Sequence, residues 1–199
     1  MLDFNLGVHV MFEFDAALFL WLNAGPSSPA WLVPLARFAS LELPQLLVAA
    51  TVGAFAVGDA RVQRGVLRVV LAMLTAWVFA RLLQHLFPMP RPFSLGLGTT
   101  WMVHADSASF PSTHASVAFA FGVTMAANTR RWLPAIAALA LAGLVAWSRV
   151  CLGLHFPSDV ALGAVVGGTS AWLCGWVPMH RWFGSPFKRA LVAPPSSPS

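Results

Sequence analysis

Three short segments of this sequence carry side chains that can bind an anion and exchange a proton or a group with it. Arginine presents a planar fork of donors that matches the oxygen atoms of phosphate or carboxylate. Histidine can act as a nucleophile or transfer a proton near neutral pH. The residues concerned are Arg81, Gln84, His85 and Arg91 in the first segment, Ser112, Thr113 and His114 in the second, and Ser148, Arg149, His155 and Asp159 in the third. Together they predict one anion-binding site with nucleophilic or acid–base chemistry.

The spacing of His155 and Asp159 predicts a nucleophile and its orienting partner. Asp159 follows His155 by four residues, and Pro157 between them suits the first turn of a helix. A carboxylate one helical turn from an imidazole can keep one ring nitrogen protonated. The other ring nitrogen is then free to attack.

The second segment predicts the start of another helix. Pro111 suits the first turn, and the free N–H groups of a helix start form a ready anion site. Ser112 and Thr113 can therefore face a bound anion with their side chains and amides. His114 opens the same helix, where it could protonate a leaving group.

The composition predicts that these residues are positioned by membrane helices. The chain has 199 residues, of which 58% are hydrophobic and 10% are charged, and its mean hydropathy is +0.72. A soluble domain would need more charge to cover its surface, so the bilayer is the natural solvent for this chain. A single histidine or arginine in such a protein is commonly a helix cap or an interfacial anchor. A set of ionisable groups at one face is costly to maintain and indicates function.

The hydrophobic pattern predicts an all-α, polytopic membrane bundle of about five spans. These spans cover residues 34–57, 66–86, 112–128, 133–150 and 158–178. Residues 12–24 form an apolar stretch that is too short to span and is expected to be a short N-terminal interfacial or re-entrant helix. Residues 1–190 are expected to form a single domain, and the Pro- and Ser-rich residues 191–199 a disordered tail.

The basic residues predict the orientation of the bundle. Eight of the twelve lie on one side, which should be the cytoplasm: Arg61, Arg64, Arg68, Arg130, Arg131, Arg181, Lys188 and Arg189. Their placement beside apolar spans indicates membrane topology and argues against nucleic acid as a partner. The three polar segments then lie on the outer or periplasmic face of an inner (plasma) membrane, with the C-terminus in the cytoplasm.

The polar segments resemble, in order, the three signatures of the type-2 phosphatidic acid phosphatase superfamily. Ser148-Arg149, His155 and Asp159 look like the third signature. Pro111-Ser112-Thr113-His114 is similar to the second, and Arg91-Pro92 to the end of the first. The resemblance implies a lipid phosphatase that works without a metal or another cofactor.

The resemblance also implies a role for each matched residue. His155 would be the nucleophile that forms a phosphohistidine, Asp159 would orient it, and His114 would be the acid that protonates the departing oxygen. The phosphoryl oxygens would be held by Arg91, Arg149 and Ser112, with Thr113 beside them.

One departure from the family pattern concerns Gln84. The family has a lysine seven residues before the arginine, whereas this chain has a glutamine, which donates hydrogen bonds but carries no charge. Arg81 lies one turn earlier on the same helical face. It either reaches the phosphate in place of the lysine or pairs with Glu42 and is structural.

The stretches Arg91-Pro92-Phe93 and residues 109–115 resemble the bacitracin-resistance type undecaprenyl-diphosphate phosphatases. This resemblance implies removal of the terminal phosphate from undecaprenyl diphosphate, the lipid carrier of cell-wall synthesis. Phosphatidylglycerol phosphate, phosphatidic acid and lipid A phosphate are alternative substrates, and a lipid A-type phosphotransferase would use the same residues. The oligomeric state is left open by the sequence.

Two alternatives from other classes are a catalytically impaired relative with a binding or structural role, and a small transporter or channel. Gln84 would be the mark of the first, but both histidines, both signature arginines and Asp159 are present. A transporter would need charged residues through the bilayer midplane. The middles of the last three predicted spans consist of Ala, Val, Leu and Gly, which argues against transport.

Overall fold

The computed structural model describes the backbone of residues 2–177 and the side chains of residues 12–177. The predicted disordered tail, residues 191–199, lies outside this range. So do Arg181, Lys188 and Arg189, three of the basic residues on which the predicted orientation depends.

The described chain is all-helical, as the sequence predicted. Six α-helices and one short 3₁₀ helix, Phe93–Leu95, follow one another, and residues 2–177 contain no strand. The α-helices are α1 (Leu2–Leu22), α2 (Leu32–Val57), α3 (Ala60–Leu86), α4 (Thr113–Asn128), α5 (Trp132–Cys151) and α6 (Pro157–Gly175).

Helix α1 is longer than the N-terminal helix predicted from residues 12–24. It begins at Leu2 and has 21 residues. The prediction began at residue 12 because polar Asp3, Asn5 and His9 alternate with apolar residues before it. A helical backbone tolerates such polar positions.

Helices α2 to α6 correspond to the five predicted spans of a membrane protein. Three of them, α2, α3 and α5, are long and apolar enough to cross a bilayer by themselves. Helices α4 and α6 have 16 and 19 residues, close to the lower limit of a span. Helix α4 packs against α3, α5 and α6, so protein surrounds much of its length.

Helices α4 and α6 approach each other closely at two glycines of α6. A Cβ atom on Gly163 would lie 2.8 Å from the Cβ of Ala115, and one on Gly167 would overlap the carbonyl oxygen of Ser116. Real Cβ atoms do not approach other atoms so closely, so both positions require glycine. The two glycines, four residues apart, thus form a small-xxx-small contact, and it places the N-terminal ends of the two helices side by side.

We expect Gly167→Ala to destabilise the protein and its neighbour Gly168→Ala to leave stability unchanged or slightly raised. The new methyl group at position 167 would overlap the backbone of α4, and such overpacking costs about 1–3 kcal/mol. A Cβ on Gly168 meets no atom within 4 Å, so only the better helix propensity of alanine remains. Thermal unfolding in detergent measures both variants. Equal melting temperatures would contradict the close contact.

Candidate active site

The start of helix α6 positions the proposed nucleophile and its partner. Pro157 occupies the first turn, and the preceding Phe156 has no polar side chain with which to cap the helix. Asp159 caps it instead, because its Oδ2 accepts the backbone N–H of Phe156 at 2.8 Å. The carboxylate is thereby turned back towards the residue before the helix, which is His155.

His155 and Asp159 form a buried pair. The Nδ1 atom of His155 lies 3.2 Å from Oδ2 of Asp159, and the two side chains are 2% and 3% exposed. Ser109 completes the arrangement: its hydroxyl donates to Oδ2 of Asp159 and lies 3.2 Å from Nδ1 of His155. The carboxylate is thus held by three neighbours and favours the tautomer that carries a proton on Nδ1.

Arg91 lies on the opposite side of the His155 ring. Its Nη1 atom is 3.1 Å from Nε2 of His155 and donates to the carbonyl oxygen of Leu154 at 2.9 Å. Its Nε donates to the carbonyl oxygen of Ser107 at 2.8 Å. An arginine can only donate, so Nε2 of His155 must be the unprotonated nitrogen.

The electrostatics of His155 favour the neutral ring. Burial lowers the pKa of His155 to about 4, although the nearby Asp159 acts in the opposite direction. The ring is therefore uncharged near neutral pH, with its lone pair on Nε2 beside a guanidinium. This is the state that a nucleophilic histidine requires.

Arg149 contributes donors that have no protein acceptor. Its Nη1 donates to the hydroxyl of Ser40 in α2 at 2.5 Å, while its Nε and Nη2 are buried without a partner among the described residues. The buried hydroxyl of Ser112 likewise has none. Buried charged donors are costly when unsatisfied, so these atoms favour an anion placed between them.

Gln84 is fully engaged by its neighbours. Its amide nitrogen donates to the carbonyl oxygen of Pro111 at 2.8 Å and lies 3.0 Å from Oγ1 of Thr113. Its Oε1 accepts from Nη1 of Arg81 at 3.1 Å. Gln84 therefore ties α3 to the start of α4 and has no free N–H in this arrangement. Arg81 makes no ion pair with Glu42 within residues 12–177.

These side chains converge on a cavity of about 280 Å³. Six residues singled out from the sequence line it: Arg81, Gln84, Arg91, Thr113, His114 and His155. Arg149, Ser112 and Asp159 are buried beside it and do not line it. The structure thus brings the three sequence segments to one place.

A second cavity, which is mostly apolar, adjoins the first. It has a volume of about 290 Å³ and is bounded by residues of α2, α3, α4 and α5. Trp77, Thr113 and His114 line both cavities. The two spaces therefore adjoin at His114.

Sequence reasoning missed several residues of this region. Trp77, His104 and Ser107 line the polar cavity, and Ser109 contacts the His155–Asp159 pair. Ser107 and Ser109 lie in an irregular loop with no periodic pattern, so nothing in their spacing distinguishes them from other loop serines.

Asp15 of α1 was also missed. Its carboxylate accepts the backbone N–H of Ser158 at 3.0 Å and the Ser158 hydroxyl at 2.5 Å. The rings of Phe12 and Phe19 pack edge-on against Phe156, with centroids 6.0 and 5.5 Å away. Helix α1 therefore supports the start of α6 directly beside the His155–Asp159 pair.

Comparison with known proteins agrees with this geometry. The model of the PAP2 superfamily matches residues 65–183, which contain all three polar segments. The chain belongs to the PAP2 superfamily. It is 32% identical over 153 residues to YbjG of Escherichia coli strain K12, which has the provisional name of an undecaprenyl-diphosphatase; the match covers 77% of each chain. It is also 32% identical over 111 residues to the undecaprenyl-diphosphatase BcrC of Bacillus subtilis strain 168, which covers 55% of each chain.

Two solved PAP2-type structures share the fold. LpxE of Aquifex aeolicus superposes with a TM-score of 0.66 at 24% identity, covering 79% of this chain and 92% of that one. The phosphatidylglycerolphosphate phosphatase of Bacillus subtilis superposes with a TM-score of 0.62 at 22% identity, covering 85% of both. The likeness is one of fold. The family match and the relatives named as undecaprenyl-diphosphatases identify this PAP2 chain as a membrane hydrolase that acts on phosphate esters.

We expect Arg81→Ala to lower kcat/KM for a lipid phosphate. The loss of transition-state stabilisation should be about 2–4 kcal/mol, comparable to the loss of one oxyanion donor. The guanidinium of Arg81 lines the cavity and lies on α3, the helix that carries the lysine in the family pattern. Arg37→Ala is the matched control, since Arg37 is an exposed arginine of α2 that does not line this cavity. Steady-state kinetics of both variants in detergent make the comparison. An unchanged kcat/KM in Arg81→Ala would mean that Arg81 is structural.

Proposed function

We propose that this chain removes the terminal phosphate of undecaprenyl diphosphate through a phosphohistidine at His155. The arrangement of His155 carries the proposal. Its Nδ1 faces Asp159 and Ser109, and its Nε2 faces Arg91 at the wall of the polar cavity. A neutral imidazole held in this way is oriented for attack on a phosphorus atom bound in that cavity.

In the first step, Nε2 of His155 attacks the terminal phosphorus and the bond from phosphorus to the bridging oxygen breaks. His114 gives a proton to the departing oxygen, which leaves on the lipid phosphate. Asp159 stabilises the positive charge that develops on the ring of His155. In the second step a water molecule attacks the phosphohistidine while His114 accepts its proton, and inorganic phosphate is released.

The charge of the transferred group is balanced by donors that are already in place. Arg91 adjoins Nε2 of His155, and Arg149 has two donors without a protein acceptor. The first-turn N–H groups of α4, which begins at Thr113, can add to these donors in the way that a helix terminus binds anions. Positioning and charge stabilisation supply most of what phosphoryl transfer requires.

The choice of a diphosphate on a prenyl chain is supported by the relatives and by the apolar cavity. Both YbjG and BcrC are named for activity on undecaprenyl diphosphate. The apolar cavity adjoins the polar one at His114, so a hydrocarbon chain attached to the leaving phosphate has an apolar space beside the site. The two solved structures are similar in fold and also fit the alternative lipid phosphates.

We further propose that the enzyme lies in the inner (plasma) membrane, with its active site on the periplasmic or outer face and its C-terminus in the cytoplasm. Five arginines of the described chain lie at the end of the bundle opposite His155: Arg61, Arg64, Arg68, Arg130 and Arg131. An excess of arginine in the short loops on one side of the membrane marks that side as cytoplasmic.

The orientation predicts that Val103→Cys reacts with a membrane-impermeant thiol reagent added to intact spheroplasts. Val103 lies in the α3–α4 loop on the same side as His155 and is fully exposed. Cys151 and Cys174 are buried, so the unmodified chain is the control for background labelling. A cysteine at Thr129, in the loop at the opposite end, should react only after lysis. The reverse pattern would invert the orientation.

The function predicts phosphate release from undecaprenyl diphosphate by the purified protein in detergent with excess EDTA. We expect His155→Ala to abolish release while the protein still elutes as a monodisperse species. Phosphatidylglycerol phosphate, phosphatidic acid and lipid A phosphate are compared at equal concentration, and a ³²P label reports transfer to another lipid instead of water.

Preference for one of the other lipids would replace the proposed substrate and leave the mechanism standing. Full activity in His155→Ala would exclude His155 as the nucleophile. Absence of release from every substrate would favour an impaired relative, with Gln84 as the reason.

A further inference from the structure

A large cavity lies at the end of the bundle opposite His155. It has a volume of about 730 Å³, is partly open to the surroundings and is bounded by α2, α3, the end of α4 and the loop that follows α4. It shares no lining residue with the polar cavity of the active site, and it adjoins the apolar cavity at Leu47 and Phe121, which line both. The function proposed above assigns no ligand to it.

Four arginines line this cavity. Arg61, Arg64 and Arg68 follow one another along α3 at spacings that put them on one helical face, and Arg130 comes from the α4–α5 loop. Arg61 and Arg68 are seven residues apart, which is about 10 Å along a helix axis. The basic surface therefore extends from the start of α3, at Arg61, about two helical turns into the bundle, to Arg68.

The four positive charges have no counter-ion among the residues that line the cavity. No aspartate or glutamate is part of its wall. Asp59 lies nearby in sequence, but its carboxylate accepts the backbone N–H groups of Arg61 and Val62, each at 2.9 Å. The Nε atom of Arg68 is buried and has no acceptor among residues 12–177. A buried charged donor of this kind favours a bound anion.

Most of the remaining cavity wall is apolar. It includes Leu47 and Ala54 of α2, Val69 of α3, and Phe121 and Met125 of α4. A free inorganic anion could match the arginines but would leave this surface uncovered. A ligand with an anionic head and hydrocarbon chains matches both parts at once.

Simple interfacial anchoring does not account for Arg64 and Arg68. An anchoring arginine extends its charge into the headgroup region at the protein surface. Arg131 fits that description, since it is exposed and does not line the cavity. Arg61 and Arg130 are exposed at the rim of the cavity, whereas Arg64 and Arg68 are half-buried in its wall.

We propose that this cavity is a binding site for an anionic phospholipid. The phosphate of the headgroup lies among Arg61, Arg64, Arg68 and Arg130, and the acyl chains lie against α2 and α4. Basic cavities between membrane helices are a known form of anionic-lipid site. The site is separate from catalysis, and its existence does not depend on the function proposed above.

Native mass spectrometry of the full chain in detergent tests the proposal. Phosphatidylglycerol and phosphatidylcholine with identical acyl chains are titrated, with inorganic phosphate as a competitor. We expect the chain to bind phosphatidylglycerol more tightly. The double variant Arg64→Gln, Arg68→Gln should weaken that binding about 30-fold, because each arginine contributes about 1 kcal/mol to such contacts. Arg131→Gln is the matched control and should retain the binding of the unmodified chain.

A second variant tests the apolar part of the site without changing any charge. Ala54→Trp fills the cavity from α2 and should lower phosphatidylglycerol binding while all four arginines remain. It also keeps the proposal testable if the double arginine variant does not fold.

Several results would overturn the proposal. Equal binding of the two lipids would show that the headgroup charge is not recognised. Equal losses in Arg131→Gln and the double variant would indicate general surface electrostatics. Displacement of the lipid by millimolar inorganic phosphate would mark a free-anion site, and unchanged binding in Ala54→Trp would place the lipid elsewhere.

Discussion

Helices α4 and α6 meet through glycine, and this contact determines where the groups of the active site lie. Gly163 and Gly167 leave room for the backbone of α4, and the backbone N–H of Ser112 donates to the carbonyl oxygen of Asp159 at 3.0 Å. The start of α4 carries Ser112, Thr113 and His114, and the start of α6 carries Asp159 and follows His155. A larger side chain at either glycine would separate these two helix starts and with them the proposed acid and nucleophile.

The same region concentrates buried charge in an otherwise apolar bundle. Arg91 and Arg149 are 3% and 1% exposed, and His155 and Asp159 are each 2% exposed. Asp159 is stabilised by Phe156 and Ser109, and Arg91 by the carbonyl oxygens of Leu154 and Ser107. Arg149 and Ser112 keep unpaired donors. A site that leaves donors unpaired in its free state binds an anion with little reorganisation, which is the condition for electrostatic catalysis.

Because Gln84 replaces the family lysine, α3 contributes to the active site through different side chains from those of the family pattern. Gln84 fills the position with a neutral side chain that ties α3 to Pro111 and Thr113. It also accepts a hydrogen bond from Arg81, which lines the cavity. A positive charge is thus present on the same helix, one turn earlier than in the family pattern. In this chain two residues of α3 therefore share the position of the family lysine. Arg81 provides the positive charge, and Gln84 provides the contact with the start of α4.

The sequence by itself determined the features that depend on local spacing and composition. Apolar stretches of about span length predicted five helices, because the bilayer requires that length. The four-residue interval between His155 and Asp159 predicted their contact, because it corresponds to one helical turn. Three ordered motifs predicted the PAP2 family, which the family match confirms.

Other features arise only when distant segments pack together. The contact of Asp15 with Ser158 joins residues 143 positions apart, and that of Arg149 with Ser40 joins residues 109 positions apart. The roles of Ser109 and Gln84 and the shared wall of the two cavities likewise have no periodic or local signal. Tertiary structure decided these features, because a side chain's partners across a bundle depend on how the helices are packed and not on its neighbours in the chain.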